Sequence, residues 1–311
     1  MTMNKIPVII DCDPGVDDIA ALILAKQIEV FDVKAVTTVA GNVKLKRTTK
    51  NALRLLTFLD WDIPVGKGAK KPLTCSLVTA EDVHGKDGTS GFSLPKTEKN
   101  PDSENAWDLI YRIAYENQGK LDIIAVGPLT NIAIALTKYP GLAGWINRIV
   151  IMGGAFLAGN TTPAAEFNIF VDPEAAKRVF TSGVPFYLCP LDVTHEAYIT
   201  MDELDDISRL GSKEALYFSD IIRPYLAIVS MQSWGRGAPM HDPLALLFAA
   251  DNSYFTYEEC FIGVETRGLL TRGRTVTDCY SDKQLDKVGF LVQTVDRKTF
   301  IRHIKDLMSR Y

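Results

Sequence analysis

The stretch Val8-Ile9-Ile10-Asp11-Cys12-Asp13-Pro14-Gly15-Val16-Asp17-Asp18 decides how this chain folds. Its apolar start predicts a strand, Pro14-Gly15 predicts a tight turn, and the helical spacing of apolar residues in Ile19–Lys26 predicts a helix. The four aspartates therefore lie between the carboxyl end of a strand and the start of a helix, where backbone N–H groups favour negative charge.

Four carboxylates this close together raise one another's pKa unless a positive charge lies between them. No Lys or Arg occurs within Asp11–Asp18. The arrangement therefore favours a hard cation with oxygen ligands. The alternative is an acidic, solvent-exposed turn that only caps the first helix.

The composition is that of an ordinary globular enzyme. Of 311 residues, 47% are hydrophobic and 23% charged, and the net charge is −4. No basic block is present, so nucleic acid and anionic membranes are not expected partners. No apolar run has the length of a membrane span, and the N-terminal one is too short for a signal peptide, which predicts a cytoplasmic protein. We find no repeat or linker and predict one domain over residues 1–311.

The cysteines are odd in number and scattered: Cys12, Cys75, Cys189, Cys260 and Cys279. None forms a CxxC pair. This pattern supports neither a disulfide framework nor a zinc site.

Apolar runs that end in polar residues alternate with helical patterns. The predicted strands are Val8–Ile10, Val33–Ala40, Leu121–Val126, Arg148–Met152, Val184–Leu188, Phe261–Glu265, Thr275–Tyr280 and Val288–Val295. The predicted helices are Ile19–Lys26, Thr48–Leu59, Ala106–Asn117, Asn131–Lys138, Pro173–Thr181, segments within Met201–Gly237, Leu244–Ala250 and Lys298–Ser309. Thr74–Asn105 is predicted to be a long polar loop that borders or covers a site. The alternation predicts an α/β fold with a mainly parallel, Rossmann-like sheet flanked by helices, and a site at the carboxyl ends of its strands.

Four motifs, in order along nearly the whole chain, resemble the inosine–uridine nucleoside hydrolase family. Asp11–Asp18 is similar to that family's DxDPGxDD signature. The other matching stretches are Gly127-Pro128-Leu129-Thr130-Asn131, then Met152-Gly153-Gly154 with Asn160 and Ala165-Glu166-Phe167-Asn168, and His241-Asp242-Pro243. The resemblance implies a Ca²⁺-dependent enzyme that hydrolyses the N-glycosidic bond of ribonucleosides to free base and ribose.

The resemblance also implies roles for individual residues. The calcium ligands would be Asp13, Asp18, Asp242 and the main-chain carbonyl of Val126, with Asp11 as a neighbouring support. The residues around the ribose and the metal would be Asp17, Asn42, Asn160, Glu166 and Asn168. Calcium takes six to eight oxygens, so these ligands leave room for water and two ribose hydroxyls.

Hydrolysis needs an activated water molecule and a leaving base that can accept electrons. Metal coordination acidifies water, and Asp13 is our predicted base for its proton. His241, beside Asp242, is predicted to donate a proton to the leaving base or to contact it. The other predicted contacts to the base are His84, Met152 and Trp234.

Both His84 and His241 are present, as in the family's histidine-containing group. This favours pyrimidine or broad specificity: uridine and cytidine, with inosine as a further substrate. The resemblance further implies nucleoside catabolism in pyrimidine salvage, and a homodimer or homotetramer.

Two other functions fit parts of the sequence. Asp11-Cys12-Asp13 resembles the DxD motif of metal-dependent phosphoryl or glycosyl transferases, but the predicted strand ends lack the Lys and Arg that phosphates need. A non-catalytic nucleoside- or sugar-binding protein would need the hydroxyl-binding residues but no base for water.

Overall fold

Strand β1 (Ile6–Cys12) lies inside the central sheet of a computed structural model that describes residues 5–229, 235–279 and 288–311. The other strands of these residues are β2 (Phe31–Thr38), β3 (Val65–Lys67), β4 (Leu121–Ala125), β5 (Ile146–Met152), β6 (Phe186–Cys189), β7 (Tyr198–Ile199), β8 (Ala238–Pro239), β9 (Phe255–Val264), β10 (Thr275–Asp278) and β11 (Gly289–Val295). Among the described residues, nine strands form one sheet in the order β10-β9-β11-β6-β5-β4-β1-β2-β3, and β7 pairs with β8. Seven adjacent strands of this sheet are parallel: β3, β2, β1, β4, β5, β6 and β11. Strand β9 pairs antiparallel with β11, and β10 pairs antiparallel with β9.

Helices cover both faces of the sheet. They are α1 (Val16–Gln27), α2 (Leu45–Phe58), α3 (Glu81–His84), α4 (Ala106–Asn117), α5 (Thr130–Lys138), α6 (Phe167–Val171), α7 (Pro173–Phe180), α8 (Leu191–Thr194), α9 (Met201–Ser208), α10 (Lys213–Val229), α11 (His241–Ala250) and α12 (Arg297–Met308), with a 3₁₀ turn at Pro140–Trp145. Within the described ranges, every helix is too short or too polar to cross a lipid bilayer.

The sheet separates two hydrophobic cores because successive strand residues point to opposite faces. In β1, Val8 and Ile10 pack with α1, α11 and α12 on one face, and Ile9 packs with α4, α5 and α7 on the other. All three side chains are buried. A strand buried on both faces reads as a continuous apolar run, which is the pattern of Val8–Ile10.

The chain changes direction across the sheet between β1 and β4. From β1 it runs outward through β2 and β3, and it then returns to β4 and continues to β5 and β6 on the other side. Helices therefore leave the carboxyl ends of β1 and β4 on opposite faces, which opens a crevice between them. Asp13 follows β1 and Val126 follows β4, and Val126 N donates to Asp11 O at 2.8 Å.

The predicted fold class is confirmed, with differences at the C-terminal edge. Strand β9 begins at Phe255 instead of Phe261, because its first residues are largely exposed and Glu258 and Glu259 interrupt the apolar pattern. Tyr280, the predicted end of β10, lies outside the described residues.

The cysteine spacing gave no support for a disulfide framework, and that interpretation is wrong for one pair of cysteines. Antiparallel pairing of β9 and β10 brings Asp278 opposite Phe261, so Cys279 falls opposite Cys260 with their Cα atoms 4.4 Å apart. The two are joined by a disulfide. Spacing in the sequence does not show this pairing because it depends on strand register.

Candidate active site

The turn after β1 orders its own carboxylates. Asp18 lies in the first turn of α1 and accepts hydrogen bonds from Asp13 N to Oδ1 at 2.9 Å and from Gly15 N to Oδ2 at 3.0 Å. These N–H groups at the helix start have no partner within the helix. The Pro14-Gly15 turn thus folds the chain back over the Asp18 side chain.

A carboxylate cluster forms where α1 meets α11. Oxygen atoms of Asp17, Asp18 and Asp242 lie within 4.8 Å of one another, and all three side chains are buried. Asp242 enters the cluster from the first turn of α11. The structure thus brings together three of the aspartates that the sequence singled out.

Asp13 lies beneath this cluster and is completely buried. Its Oδ2 accepts a hydrogen bond from Asn42 N at 2.6 Å, and its Oδ1 has no hydrogen-bond partner. A Cβ at Gly127 would come within 2.5 Å of Oδ1, and one at Gly41 within 2.1 Å of Oδ2. These two glycines follow β4 and β2, so the lack of side chains lets the strand ends close around one carboxylate.

The site fits a hard cation. Among the described residues, Asp13 Oδ1 and Asp17 Oδ1 are buried acceptors without a hydrogen-bond partner, although His84 Nδ1 lies 3.9 Å from Asp17 Oδ1. Buried charges that are not compensated are strongly unfavourable. Burial raises the pKa of Asp17 and of Asp18 to about 6, and it raises the pKa values of Asp13 and Asp242 further above their usual range. Oxygen donors of this kind are those that Ca²⁺ and Mg²⁺ prefer, and a cation between them would lower the pKa of each carboxyl group.

Asn42 connects Asp13 to the carboxylate cluster. Its Nδ2 donates to Asp18 Oδ2 at 2.9 Å while its backbone N–H binds Asp13. The side chain is buried and borders the cleft above the carboxylates. The predicted position of Asn42 beside metal and ribose is compatible with these contacts.

Asp11 supports the site from below and does not border the cleft. Its Oδ1 accepts hydrogen bonds from Thr37 Oγ1 and, at 2.8 Å, from Asn131 Nδ2. Burial raises the pKa of Asp11 to about 7. Asn131 also donates to Thr38 O at 3.1 Å, so Asp11 helps to join β1, β2 and α5.

Glu166 and Asn168 border the opposite wall of the cleft. The Glu166 carboxylate caps α6 by accepting from Asn168 N at 2.8 Å and Ile169 N at 3.1 Å, and it also accepts from Gly154 N at 2.9 Å. Burial nevertheless raises the pKa of Glu166 to about 7. These hydrogen bonds orient the Glu166 carboxylate, which is buried and is not a solvent-exposed charge.

Asn168 touches the proposed carbonyl ligand. Its Nδ2 donates to Val126 O at 3.0 Å and to Met152 O at 3.2 Å. A carbonyl oxygen has two lone pairs, so Val126 O retains one for a cation. Asn160 is exposed at the rim and accepts from Phe167 N at 2.9 Å.

Two histidines face the cleft from different elements. His84 ends α3, and its Nδ1 accepts a hydrogen bond from Val16 N at 3.1 Å, so the neutral ring carries its proton on Nε2. His241 begins α11, and its Nδ1 lies 2.7 Å from Thr194 Oγ1. Burial lowers the pKa of His84 to about 4 and that of His241 to about 3, so both rings are neutral at neutral pH.

The cleft has a volume of about 300 Å³ and is partly open to solvent. Most of the predicted site residues line it: Asp17, Asn42, His84, Val126, Met152, Asn160, Glu166, Asn168, His241 and Asp242. Asp13, Asp18 and Asp11 lie underneath. Trp234, a predicted contact to the base, lies outside the described residues.

The sequence did not single out several lining residues. They are Val78, Thr79, Ala80, Asp82, Val83, Thr161, Phe167 and Val229. Five come from the long loop between Thr74 and Asn105, whose bordering role was predicted without naming them. Tyr225 also lines the cleft, with its ring 6.1 Å from that of His84.

Comparison with known proteins agrees with this geometry. The family model for inosine-uridine preferring nucleoside hydrolases matches residues 8–302. The pyrimidine-specific ribonucleoside hydrolase RihA of Escherichia coli is 40% identical over 308 residues, which cover 98% of this chain and 99% of that protein. RihA of Klebsiella pneumoniae is 41% identical over 308 residues, which again cover 98% of this chain and 99% of that protein.

Solved structures extend the likeness to three dimensions. A plant nucleoside hydrolase has a TM-score of 0.94 and 33% identity, covering 99% of this chain and 100% of that one. The purine-preferring ribonucleoside hydrolase from Gardnerella vaginalis has a TM-score of 0.91 and 30% identity, covering 98% and 100%.

Fold, carboxylate cluster and comparisons together define a metal-dependent N-glycosidase. The chain belongs to the inosine-uridine preferring nucleoside hydrolase family, and its reaction is the hydrolysis of ribonucleosides to free base and ribose.

Proposed function

We propose that this enzyme is a calcium-dependent hydrolase that prefers pyrimidine ribonucleosides. The observation that carries the proposal is the carboxylate cluster of Asp17, Asp18 and Asp242 with the Asp13 carboxylate next to it, in which Asp13 Oδ1 and Asp17 Oδ1 are buried and have no hydrogen-bond partner among the described residues. We assign Asp13, Asp18, Asp242 and the Val126 carbonyl to the ion and Asp17 to the ribose. A site made only of oxygen donors, with room for further ligands, favours Ca²⁺.

Asp13 is the proposed base for the attacking water. A divalent cation held by these ligands would supply acidification of the attacking water and a contact for the ribose hydroxyls. Asp13 Oδ2 is held by the Asn42 N–H, which leaves Oδ1 as the acceptor for a proton. The N-glycosidic bond breaks, the hydroxyl group of water bonds to the ribose carbon that carried the base, and the departing base gains a proton.

Ribose recognition is assigned to Asp17 on α1 and to residues of the opposite wall of the cleft. Asp17, Asn160, Glu166 and Asn168 carry acceptors and donors that suit vicinal hydroxyls, and Asn42 lies between ion and sugar. Glu166 and Asn168 are fixed by backbone hydrogen bonds before substrate arrives, which lowers the entropic cost of orienting the sugar.

His241 is the proposed partner of the departing base. Because its ring is neutral, the assistance takes the form of a hydrogen bond from a ring N–H to the negative charge that develops on the base. His84, Met152 and Trp234 are assigned to the remaining contacts with the base. A homodimer or homotetramer acting in cytoplasmic pyrimidine salvage is proposed from the same family resemblance.

Substrate preference is the first test of this proposal. The curated relatives at about 40% identity are named pyrimidine-specific, whereas the structural relative at 30% identity is named purine-preferring. We expect kcat/KM for uridine and cytidine to exceed that for inosine by at least about tenfold, a difference of about 1.4 kcal/mol in transition-state binding. The measurement is ribose released from each nucleoside by purified protein with calcium. Equal values, or a preference for inosine, would contradict the pyrimidine assignment.

A further inference from the structure

Thr194 is a buried hydroxyl next to the cleft that the mechanism above does not use. It ends α8 and is fully buried. Its Oγ1 lies 2.7 Å from His241 Nδ1 and 3.4 Å from Leu191 O. The His195 ring lies edge-on to the His241 ring with centroids 5.6 Å apart, so the imidazole is also restrained from that side.

We propose that Thr194 is a positioning residue that donates its hydroxyl proton to His241 Nδ1 and so keeps the ring N–H on Nε2, toward the base. The proposal rests on the proposed function, because it is His241 that assists the departing base there.

The distances decide where the hydroxyl proton points. The 2.7 Å contact fits donation in either direction, but if His241 Nδ1 donated, the Thr194 proton would be left with Leu191 O at 3.4 Å, which is long for a hydrogen bond. Burial excludes solvent as a competing acceptor. The proton therefore belongs to His241 Nδ1.

The tautomer of His241 follows from that donation. A neutral imidazole has one N–H and one acceptor nitrogen, and the partner of one nitrogen sets the state of the other. With Nδ1 occupied as an acceptor, Nε2 carries the N–H. The ring borders the cleft and Nδ1 faces α8, so Nε2 is the nitrogen left for the substrate. Without the Thr194 hydroxyl, the ring loses the bond that selects this tautomer and orientation.

The test compares two leaving groups. Uracil needs assistance as it departs, whereas p-nitrophenolate spreads its charge into the nitro group and departs from p-nitrophenyl β-ribofuranoside without it. Thr194→Val removes the hydroxyl and keeps the shape. We expect kcat for uridine to fall by about 30- to 100-fold, and kcat for the nitrophenyl riboside to stay within about threefold. Thr194→Ser, which keeps the hydroxyl, should restore the uridine rate.

Controls separate this proposal from general damage and from the proposed function. Thr48 is an equally buried threonine whose hydroxyl donates to Leu45 O in its own helix at 3.0 Å, so Thr48→Val should leave both rates near wild type. If the wild-type enzyme hydrolyses the riboside but not uridine, the proposed function fails. If the wild type hydrolyses both substrates, and Thr194→Val lowers kcat for both by the same factor or for neither, the positioning role fails.

A measurement on the wild-type protein covers the case in which Thr194→Val does not fold. Nitrogen NMR of ring-labelled histidine, with the His241 signals assigned by their loss in His241→Ala, reports which ring nitrogen is protonated. The proposal requires protonated Nε2 and unprotonated Nδ1. The opposite tautomer would overturn it.

Discussion

Replacing Asp13 by asparagine is expected to lower kcat for uridine by about a thousandfold or more. The substitution keeps an acceptor for the Asn42 N–H but removes the carboxylate that would take the proton of water. It also removes a buried negative charge, and burial raises the pKa of Asp13 well above its usual range. We therefore expect the metal-free variant to unfold at the same temperature as the wild type or higher at slightly alkaline pH.

This combination of lost activity and kept stability distinguishes a functional role from a structural one. The measurements are ribose release with saturating calcium and thermal unfolding in chelator. Asp108→Asn is the matched control, because Asp108 lies on α4 and pairs with Lys138 and Tyr139 away from the cleft. Full activity of the Asp13 variant would remove the assignment of Asp13 as the base.

Replacing His241 by alanine is expected to separate the two leaving groups. We expect kcat for uridine to fall by on the order of a hundredfold to a thousandfold, because the charge on the departing base loses its hydrogen-bond donor. Hydrolysis of p-nitrophenyl riboside should stay within about threefold of wild type, since nitrophenolate departs unaided. Steady-state rates on both substrates, at the same calcium concentration, provide the comparison.

The control for this experiment is another cleft histidine. His84 accepts a backbone hydrogen bond from Val16 N and stacks near Tyr225, so His84→Ala is expected to affect KM for uridine more than kcat. If His241→Ala lowers kcat for both substrates by the same factor, His241 maintains the site as a whole and does not assist the departing base.

The local sequence predicted the carboxylate end of the site because strand, turn and helix signals lie within one continuous stretch. Asp11–Asp18 carries its own apolar strand, its Pro-Gly turn and the first turn of α1. The convergence of Val126 with Asp13 was also foreseeable, since the carboxyl ends of parallel strands share one edge of the sheet.

Other parts of the site depend on packing that local patterns do not encode. The Glu166 carboxylate is buried because it caps α6, a five-residue helix within a stretch that reads as a plain apolar run. Thr194 reaches His241 across 47 residues of sequence, and Cys260 finds Cys279 only through strand register. The lining residues of the Thr74–Asn105 segment belong to a loop without a repeating pattern, so composition predicts its location but not its contacts.

The most direct test of the central claim is ribose release from uridine by protein that has been stripped of metal and then supplied with calcium. The buried carboxylates predict no detectable ribose after stripping and recovery of the full rate when calcium is added. Full activity in protein shown by elemental analysis to hold no divalent metal would contradict the claim that the aspartate cluster works through a bound cation.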